Sequence, residues 1–338
     1  MILVWTVSLV PAKAHAYTGM VSFGDSLSDL GNTVVTLSSV FDEEFLRNNT
    51  GYNSNFFFNG RFSNGPVWSE RLNDLLGFAP MQRNAGVDVF NGTNFSWAAA
   101  RSGLGSSFGV IPNLQPQVGY YTSQLVANNP ALPNPATTLF TLWIGGNDVF
   151  AHVENNDVIT PAQIATNIST AITELYTAGG RSFLIPNLPP IGLSPDYIND
   201  VIKGPQATVF TNGVNFQVDL ALDALSANLP GIDIIKLDIN GIFLDVIANP
   251  SAYGLSNVTQ RAYTPSAQGP LYGSVVGNPD QYLYWDSAHG TTAVNALIAD
   301  AAFRAIPEPS SLVLLLGSAI ALSFFVRNRH NNSHHKLQ

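Results

Sequence analysis

The stretch Val21-Ser-Phe-Gly-Asp-Ser-Leu-Ser-Asp-Leu-Gly-Asn32 decides how the rest of the chain is read. Apolar and small residues from Gly19 to Phe23 predict a short buried strand, which the Gly24, Asp25 and Ser26 cluster breaks. Leu27 onward is expected to begin a helix. A serine at the carboxyl end of a parallel strand sits where open α/β sheets bind their ligands. Its hydroxyl can point into a cleft there, and its own N–H can face a developing negative charge. Alone, Gly-Asp-Ser is equally an ordinary turn, so its chemistry depends on what the remaining chain supplies.

Working outward, strands and helices alternate. A polar, aromatic-rich loop from Asn48 to Phe62 is expected at the surface, and Pro66 opens a helix reaching Leu76. Asn94 to Trp97 reads as a second strand and Leu114 to Asn128 as a helix. Thr138-Leu-Phe-Thr-Leu-Trp-Ile144 is the clearest strand, apolar or β-branched throughout and stopped by Gly145-Gly146. Thr160 is a good N-cap with Pro161 behind it. Ile164, Ile168, Ile172 and Leu175 then mark one helical face, which Gly179-Gly180 ends. Strands over Ser182–Ile185 and Ile232–Leu237, a long helix over Gln206–Ala227 and a closing helix over Thr292–Ala305 complete the pattern. Tyr253 to Trp285 reads as irregular. This alternation predicts one α/β domain over residues 17–305, its parallel sheet covered on both faces and its cleft at the carboxyl ends of the strands.

Composition narrows the chemistry. A chain of 338 residues can bury a sizeable core, and a net charge of −9 argues against nucleic-acid binding and polybasic membrane docking. The absence of cysteine excludes disulfides, thiolate metal sites and a cysteine nucleophile. Only 11% of residues are charged, which suits an exported protein. At the amino end, Ile2–Val10 is apolar and Ala14-His15-Ala16 has the small-x-small form of a signal-peptidase site. Residues 1–16 are therefore expected to be a signal peptide, although nothing basic precedes Lys13. At the other end, Pro307-Glu308-Pro309 precedes an uncharged apolar run, Ser310–Val326, and then Arg327, Arg329 and His330. As a helix the run would be about 25 Å long, short for a bilayer core of about 30 Å but within reach of one. The order of these features over residues 306–330 resembles the PEP-CTERM sorting signal of Gram-negative bacteria. That resemblance implies export, temporary retention in the inner membrane by a transmembrane helix, cleavage by an exosortase, and release to the cell surface or beyond. Residues 331–338 would be a polar tail, and an uncleaved membrane anchor is the alternative.

Three motifs carry chemistry: Ser26 after the first strand, Asn147-Asp148 after the strand ending at Ile144, and Asp286-Ser-Ala-His289 before the last helix. A serine hydroxyl needs a base, histidine is the usual one, and a carboxylate on its other nitrogen fixes the tautomer. Of six histidines only His152 and His289 fall inside the domain. His289 has Asp286 three residues before it, whereas His152 has Asn147, Asp148, Glu154 and Asp157 nearby. On the residues alone both stay open as the base. Asp25 reads as a cap for the turn, with Asp29, Asn32 and Asp148 doing similar structural work.

The ordered set Gly24-Asp-Ser-Leu27, Gly145-Gly-Asn-Asp148 and Asp286-Ser-Ala-His289 resembles the GDSL, or SGNH, hydrolases. So do Asn59-Gly-Arg-Phe-Ser-Asn-Gly-Pro-Val-Trp68, Pro186-Asn-Leu-Pro-Pro-Ile-Gly192 and Asn278-Pro-Asp-Gln-Tyr-Leu-Tyr-Trp285. The resemblance implies a three-layer α/β/α flavodoxin-like fold with a mainly parallel five-stranded sheet, and ester hydrolysis with neither metal nor cofactor. By position, Ser26 would be the nucleophile, His289 the general base and Asp286 its orienting partner. Ser26 N–H and the Asn147 amide would donate to the oxyanion. Ala99 stands where the family usually has a glycine N–H donor. It serves without cost if φ is negative there; a positive φ brings strain or a shifted loop. Gly290 replaces the usual proline after the histidine, so a looser loop is expected. The resemblance implies an exported esterase or lipase acting on a lipid or an acylated carbohydrate. A non-catalytic surface or matrix protein that keeps the fold, or an acyltransferase or deacetylase acting on exopolysaccharide, is the alternative. Asn48–Phe62 and Tyr253–Trp285 are expected to line the cleft.

Overall fold

Strand β1 (Gly19–Gly24) is buried along its whole length because it pairs on both edges and is covered on both faces. Its neighbours are β2 (Asn94–Ser96) and β3 (Thr138–Trp143); β4 (Ser182–Pro186) and β5 (Asp233–Leu237) extend the sheet beyond β3. The order is β2-β1-β3-β4-β5 and every pair is parallel, the flavodoxin-like arrangement. These relations come from a computed structural model that describes residues 17–39, 52–84, 92–266 and 273–307. The expected signal peptide, the apolar run Ser310–Val326 and the polar tail lie outside those residues. Among the described residues no helix is long and apolar enough to cross a membrane.

Helices α1 (Asn32–Ser38), α2 (Trp68–Leu75), α3 (Leu114–Val126), α4 (Gly146–Asn155), α5 (Pro161–Thr177), α6 (Lys203–Asn228), α7 (Ile239–Ala248) and α8 (Thr292–Ala305) join and cover the strands. Period-two alternation sends Val21, Phe23, Phe140, Leu142, Phe183 and Ile185 to one face. They pack there with Tyr121 of α3, with Ile164, Ile168 and Ile172 of α5, and with Val214 and Val218 of α6. Met20, Leu139 and Trp143 alternate to the other face, where Trp143 meets Trp68 edge to face at 5.5 Å. Each fully buried side chain of this kind contributes roughly 1.5–3 kcal/mol. Tyr17–Ala305 forms one compact unit.

Helix α5 starts and stops where its caps dictate. Thr160 Oγ1 accepts the Gln163 N–H at 3.2 Å, and the helix ends two residues before Gly179. The helix expected from Leu27 instead begins at Asn32. The carboxylates of Asp25 and Asp29 take the N–H groups of Leu27, Gly31, Asn32 and Thr33, so the chain turns before it coils. The described part of the expected surface loop, Tyr52–Phe62, is a second correction. Tyr52, Phe57 and Phe62 are buried with Tyr263 and Trp285, since five rings bury more apolar area than the intervening polar residues can hold at the surface. Within Tyr253–Trp285, Asn257–Arg261 pairs with Tyr282–Tyr284, and Tyr263–Pro265 pairs with Gly273–Val275.

Candidate active site

Order reverses between β1 and β3, and ligands of open α/β sheets bind at such a switch point. The register pairs Gly24 with Trp143 there. Gly24 has φ of +151°, and a Cβ at this position would lie 2.3 Å from the Trp143 carbonyl oxygen, so only glycine lets the two strand ends meet. Gln117 of α3 replaces a strand partner: its Oε1 accepts the Gly24 N–H at 3.0 Å and its Nε2 donates to the Gly24 carbonyl at 2.9 Å. The chain then folds over, with Leu27 N–H on Asp25 Oδ1 at 3.0 Å and Ser28 N–H on the Asp25 carbonyl at 3.0 Å. Ser26 caps this turn, above the carboxyl end of β1.

Asp286 and His289 arrive from the other end of the domain on a turn that the sequence itself closes. Asp286 Oδ1 accepts the N–H groups of Ala288 and His289 at 2.9 and 2.8 Å, and Trp285 N–H donates to the His289 carbonyl at 2.7 Å. This places His289 Nδ1 2.9 and 2.8 Å from the two Asp286 oxygens, and Nε2 2.7 Å from Ser26 Oγ. With Nδ1–H donated to the carboxylate, Nε2 is left to accept the hydroxyl proton. Burial works against a charged imidazole, yet the Asp286 carboxylate outweighs it and holds His289 above its ordinary value. Burial likewise opposes charge on Asp286, but His289 and the N–H donors keep it below the usual carboxylate range. The loop after His289 is not loose, contrary to expectation. The Gly290 carbonyl accepts from Ser63 Oγ at 2.9 Å and from Asn295 Nδ2 at 3.2 Å. Phe62 lies against the imidazole, ring centres 5.2 Å apart, and Trp285, Tyr263 and Phe57 stack behind it. The described residues of the two loops expected to line the cleft thus form a packed wall behind the histidine, and among them only Phe62 reaches the cavity beside Ser26.

On the opposite side, Asn147 is the second residue of α4. One hydrogen of its amide goes to the Ala100 carbonyl at 2.9 Å, which leaves the other unspent. The backbone N–H groups of Ser26 and Ala99 also donate to no acceptor among the described residues. Ala99 has φ of +63°, a left-handed conformation that costs an alanine roughly 1–2 kcal/mol. Its neighbours impose it: Ala98 N–H is held by Asp29 Oδ2 at 3.0 Å, the Ala100 carbonyl by Asn147, and Ser107 Oγ donates to the Ala99 carbonyl at 2.7 Å. Asp148 ties the same two loops together, accepting Ser102 N–H at 2.9 Å and facing Arg101, which also bridges to Asp157. His152 takes no part. Its Nδ1 is 2.9 Å from the Asp157 carbonyl and its ring stacks on Phe210 at 4.0 Å.

Two small cavities flank the Ser26–His289 pair. One, of about 40 Å³, lies between Ser26, Asn147 and His289 and is walled by Phe150, Leu188 and Ile191. The other, of about 10 Å³, is closed by Phe62, Val67 and Trp143. Ala99 lines neither. Leu188 is held at backbone N–H and carbonyl by the Asn215 amide, at 2.8 and 2.9 Å. Sequence reading missed both amide clamps, Gln117 and Asn215. Their partners lie 93 and 27 positions away, and no local pattern marks them.

A sequence model of the GDSL-like lipase/acylhydrolase family matches residues 20–302. A GDSL esterase/lipase of Arabidopsis thaliana is 27% identical over 321 residues, covering 83% of this chain and 86% of its own. A phosphatidylcholine-sterol acyltransferase of Aeromonas hydrophila is 24% identical over 329 residues, covering 85% of this chain and 89% of its own. Among solved structures, an acetylxylan esterase of Geobacillus stearothermophilus superposes with a TM-score of 0.44 at 11% identity, over 87% of this chain and 96% of that one. With nearly the whole domain matched, the chain belongs to the GDSL-like lipase/acylhydrolase family and is a serine ester hydrolase.

Proposed function

We propose that this hydrolase cleaves carboxylic esters through an acyl-serine intermediate, with Ser26 as nucleophile, His289 as general base and Asp286 as the carboxylate that orients it. The observation that carries the reading is the unbroken line of hydrogen bonds from Asp286 through His289 to Ser26 Oγ. Ser26 Oγ attacks the ester carbonyl as its proton passes to His289 Nε2. The imidazolium then protonates the departing alcohol, and the same nitrogen activates water to release the acid. The unspent donors, Ser26 N–H and the second Asn147 amide hydrogen, receive the oxyanion; Ala99, which holds the position of the family's glycine donor but lines neither cavity, adds a third only if its loop moves toward Ser26. Each such donor is worth about 3 kcal/mol in the transition state. A cavity of about 40 Å³ walled by apolar side chains suits an acyl chain of few carbons. The Aeromonas relative is named an acyltransferase. The same acyl-serine could pass to an alcohol in place of water, and added alcohol would then yield a new ester. We further read residues 1–16 and 306–330 as export and sorting signals; amino-terminal sequencing of protein recovered outside the cell tests that reading.

Ser26→Ala is expected to lose at least about 10⁴-fold in kcat on p-nitrophenyl acetate and all labelling by a fluorophosphonate, with an unchanged melting curve. A variant that still turns over and still labels would overturn the assignment.

A further inference from the structure

Asp25 sits where a carboxyl group is costly. It is 2% exposed, and it lines the cavity shared by Ser26, Asn147 and His289. One oxygen accepts the Leu27 N–H at 3.0 Å, which is all that capping the turn requires. The other takes no hydrogen bond among the described residues and lies toward Gly146, where a Cβ would come 3.8 Å from it. The neighbouring carboxylates are spent otherwise. Asp29 accepts four backbone N–H groups, from Gly31, Asn32, Thr33 and Ala98. Asp148 faces Ser102 N–H and Arg101, and Asp286 holds His289 Nδ1.

We propose that Asp25 is a positioning residue for the base: its carboxyl group, on the same cavity as the imidazole, sets the pH at which His289 gives up its proton and can accept that of Ser26. The proposal rests on the assignment of Ser26 and His289 made above. A turn cap needs an acceptor and no charge, so an asparagine would serve; the ionisable group matters only through what else it faces. Burial pushes Asp25 up to about 7, while the Leu27 N–H and a charged His289 pull it down and the charges of Asp148 and Asp29 push it further up. Asp25 in turn helps hold His289 above its ordinary value. Each charge favours the other, so the two groups lose their protons as a coupled pair. An ionised Asp25 keeps the imidazole protonated and also repels an oxyanion forming at Asn147. A neutral Asp25 does neither.

The test uses the full chain and Asp25→Asn, which keeps an oxygen for the Leu27 N–H and removes the charge. The His289 imidazole, assigned by its disappearance in His289→Gln, is titrated by ¹⁵N NMR, and kcat/KM for p-nitrophenyl acetate is followed across pH. The expected result is a His289 midpoint lower by roughly half to one pH unit, with the acid limb of the rate profile moving by the same amount. A midpoint equal to that of the native chain overturns the proposal, whatever happens to kcat, because a purely structural role would change the rate and leave the titration in place. Asp25→Ser, whose hydroxyl can also accept the N–H, gives the same readout should the asparagine variant not fold. The NMR midpoint requires no turnover, and Ser26→Ala requires no change at Asp25, so either reading can fail alone.

Discussion

At the scale of single residues, Ala99, on a loop, carries a backbone cost that Asn147, in the first turn of α4, helps to impose. The backbone at position 99 is left-handed, and nothing in alanine favours that conformation. Ala99→Gly removes the strain at some cost in unfolded-chain entropy, so stability should rise by roughly 0.5–1 kcal/mol. The gain should appear as a higher urea midpoint at constant slope. Asn147 contributes one amide hydrogen to the fold, and in the proposed mechanism the other donates to the oxyanion. Asn147→Ala should lower kcat by about 10²–10³-fold on p-nitrophenyl acetate while KM changes little, because the lost donor acts on the oxyanion and not on the ground-state ester. Both residues were legible as candidates from their motifs. The sign of φ at Ala99 was not, since it is set by Asp29 and Asn147 from elsewhere in the chain.

At the scale of elements, the serine is only as well placed as the strand end beneath it. Gly24 could be read as the break in β1 and Ile144 as the end of β3, which the structure stops one residue earlier, at Trp143. The clamp that holds the break is Gln117, fully buried on α3 and donating also to the Pro112 carbonyl at 3.0 Å. Gln117→Leu leaves the Gly24 N–H and the Pro112 carbonyl without these partners inside the core. The cost is expected at roughly 2–4 kcal/mol by urea unfolding, with kcat falling more than KM rises as the Ser26 turn drifts. A neutral result on both measurements would show that the strand end needs no clamp. The start of α1 makes the same point in reverse. A helix starting at Leu27 was the wrong expectation because two carboxylates, Asp25 and Asp29, satisfied the N–H groups a helix would have used.

At the scale of the whole molecule, burying these acids makes stability depend on pH. The Asp25 value is raised from about 3.9 in the unfolded chain to about 7, so the folded state binds its proton more tightly. The stabilisation is full below about pH 4 and is lost as pH rises through 7. Asp29 and Asp148, also raised by burial, act in the same direction, as does His289 above its ordinary value. Asp286, held low, acts in the opposite sense and loses its contribution as pH falls. Asp25→Asn should therefore be more stable than the native protein at pH 8, by an amount on the order of a few kcal/mol, and indistinguishable from it at pH 4. Melting temperatures at the two pH values decide this, and equal melting at pH 8 would contradict it.

The sequence by itself determined the alternation of strands and helices, the caps of α5, and which residues could act as nucleophile, base and orienting acid, because propensity, periodicity and turn chemistry act over a few neighbouring residues. It also carried the family in its ordered motifs. Local pattern left His152 and His289 both open and the family resemblance pointed to His289; the tertiary structure brings that residue to Ser26, and it alone decided that the aromatic segments form a wall behind the histidine and that Ala99 is strained. Each of these depends on which parts of the chain lie against one another once the parallel sheet has brought distant segments together, and that proximity is a property of packing which no local stretch encodes.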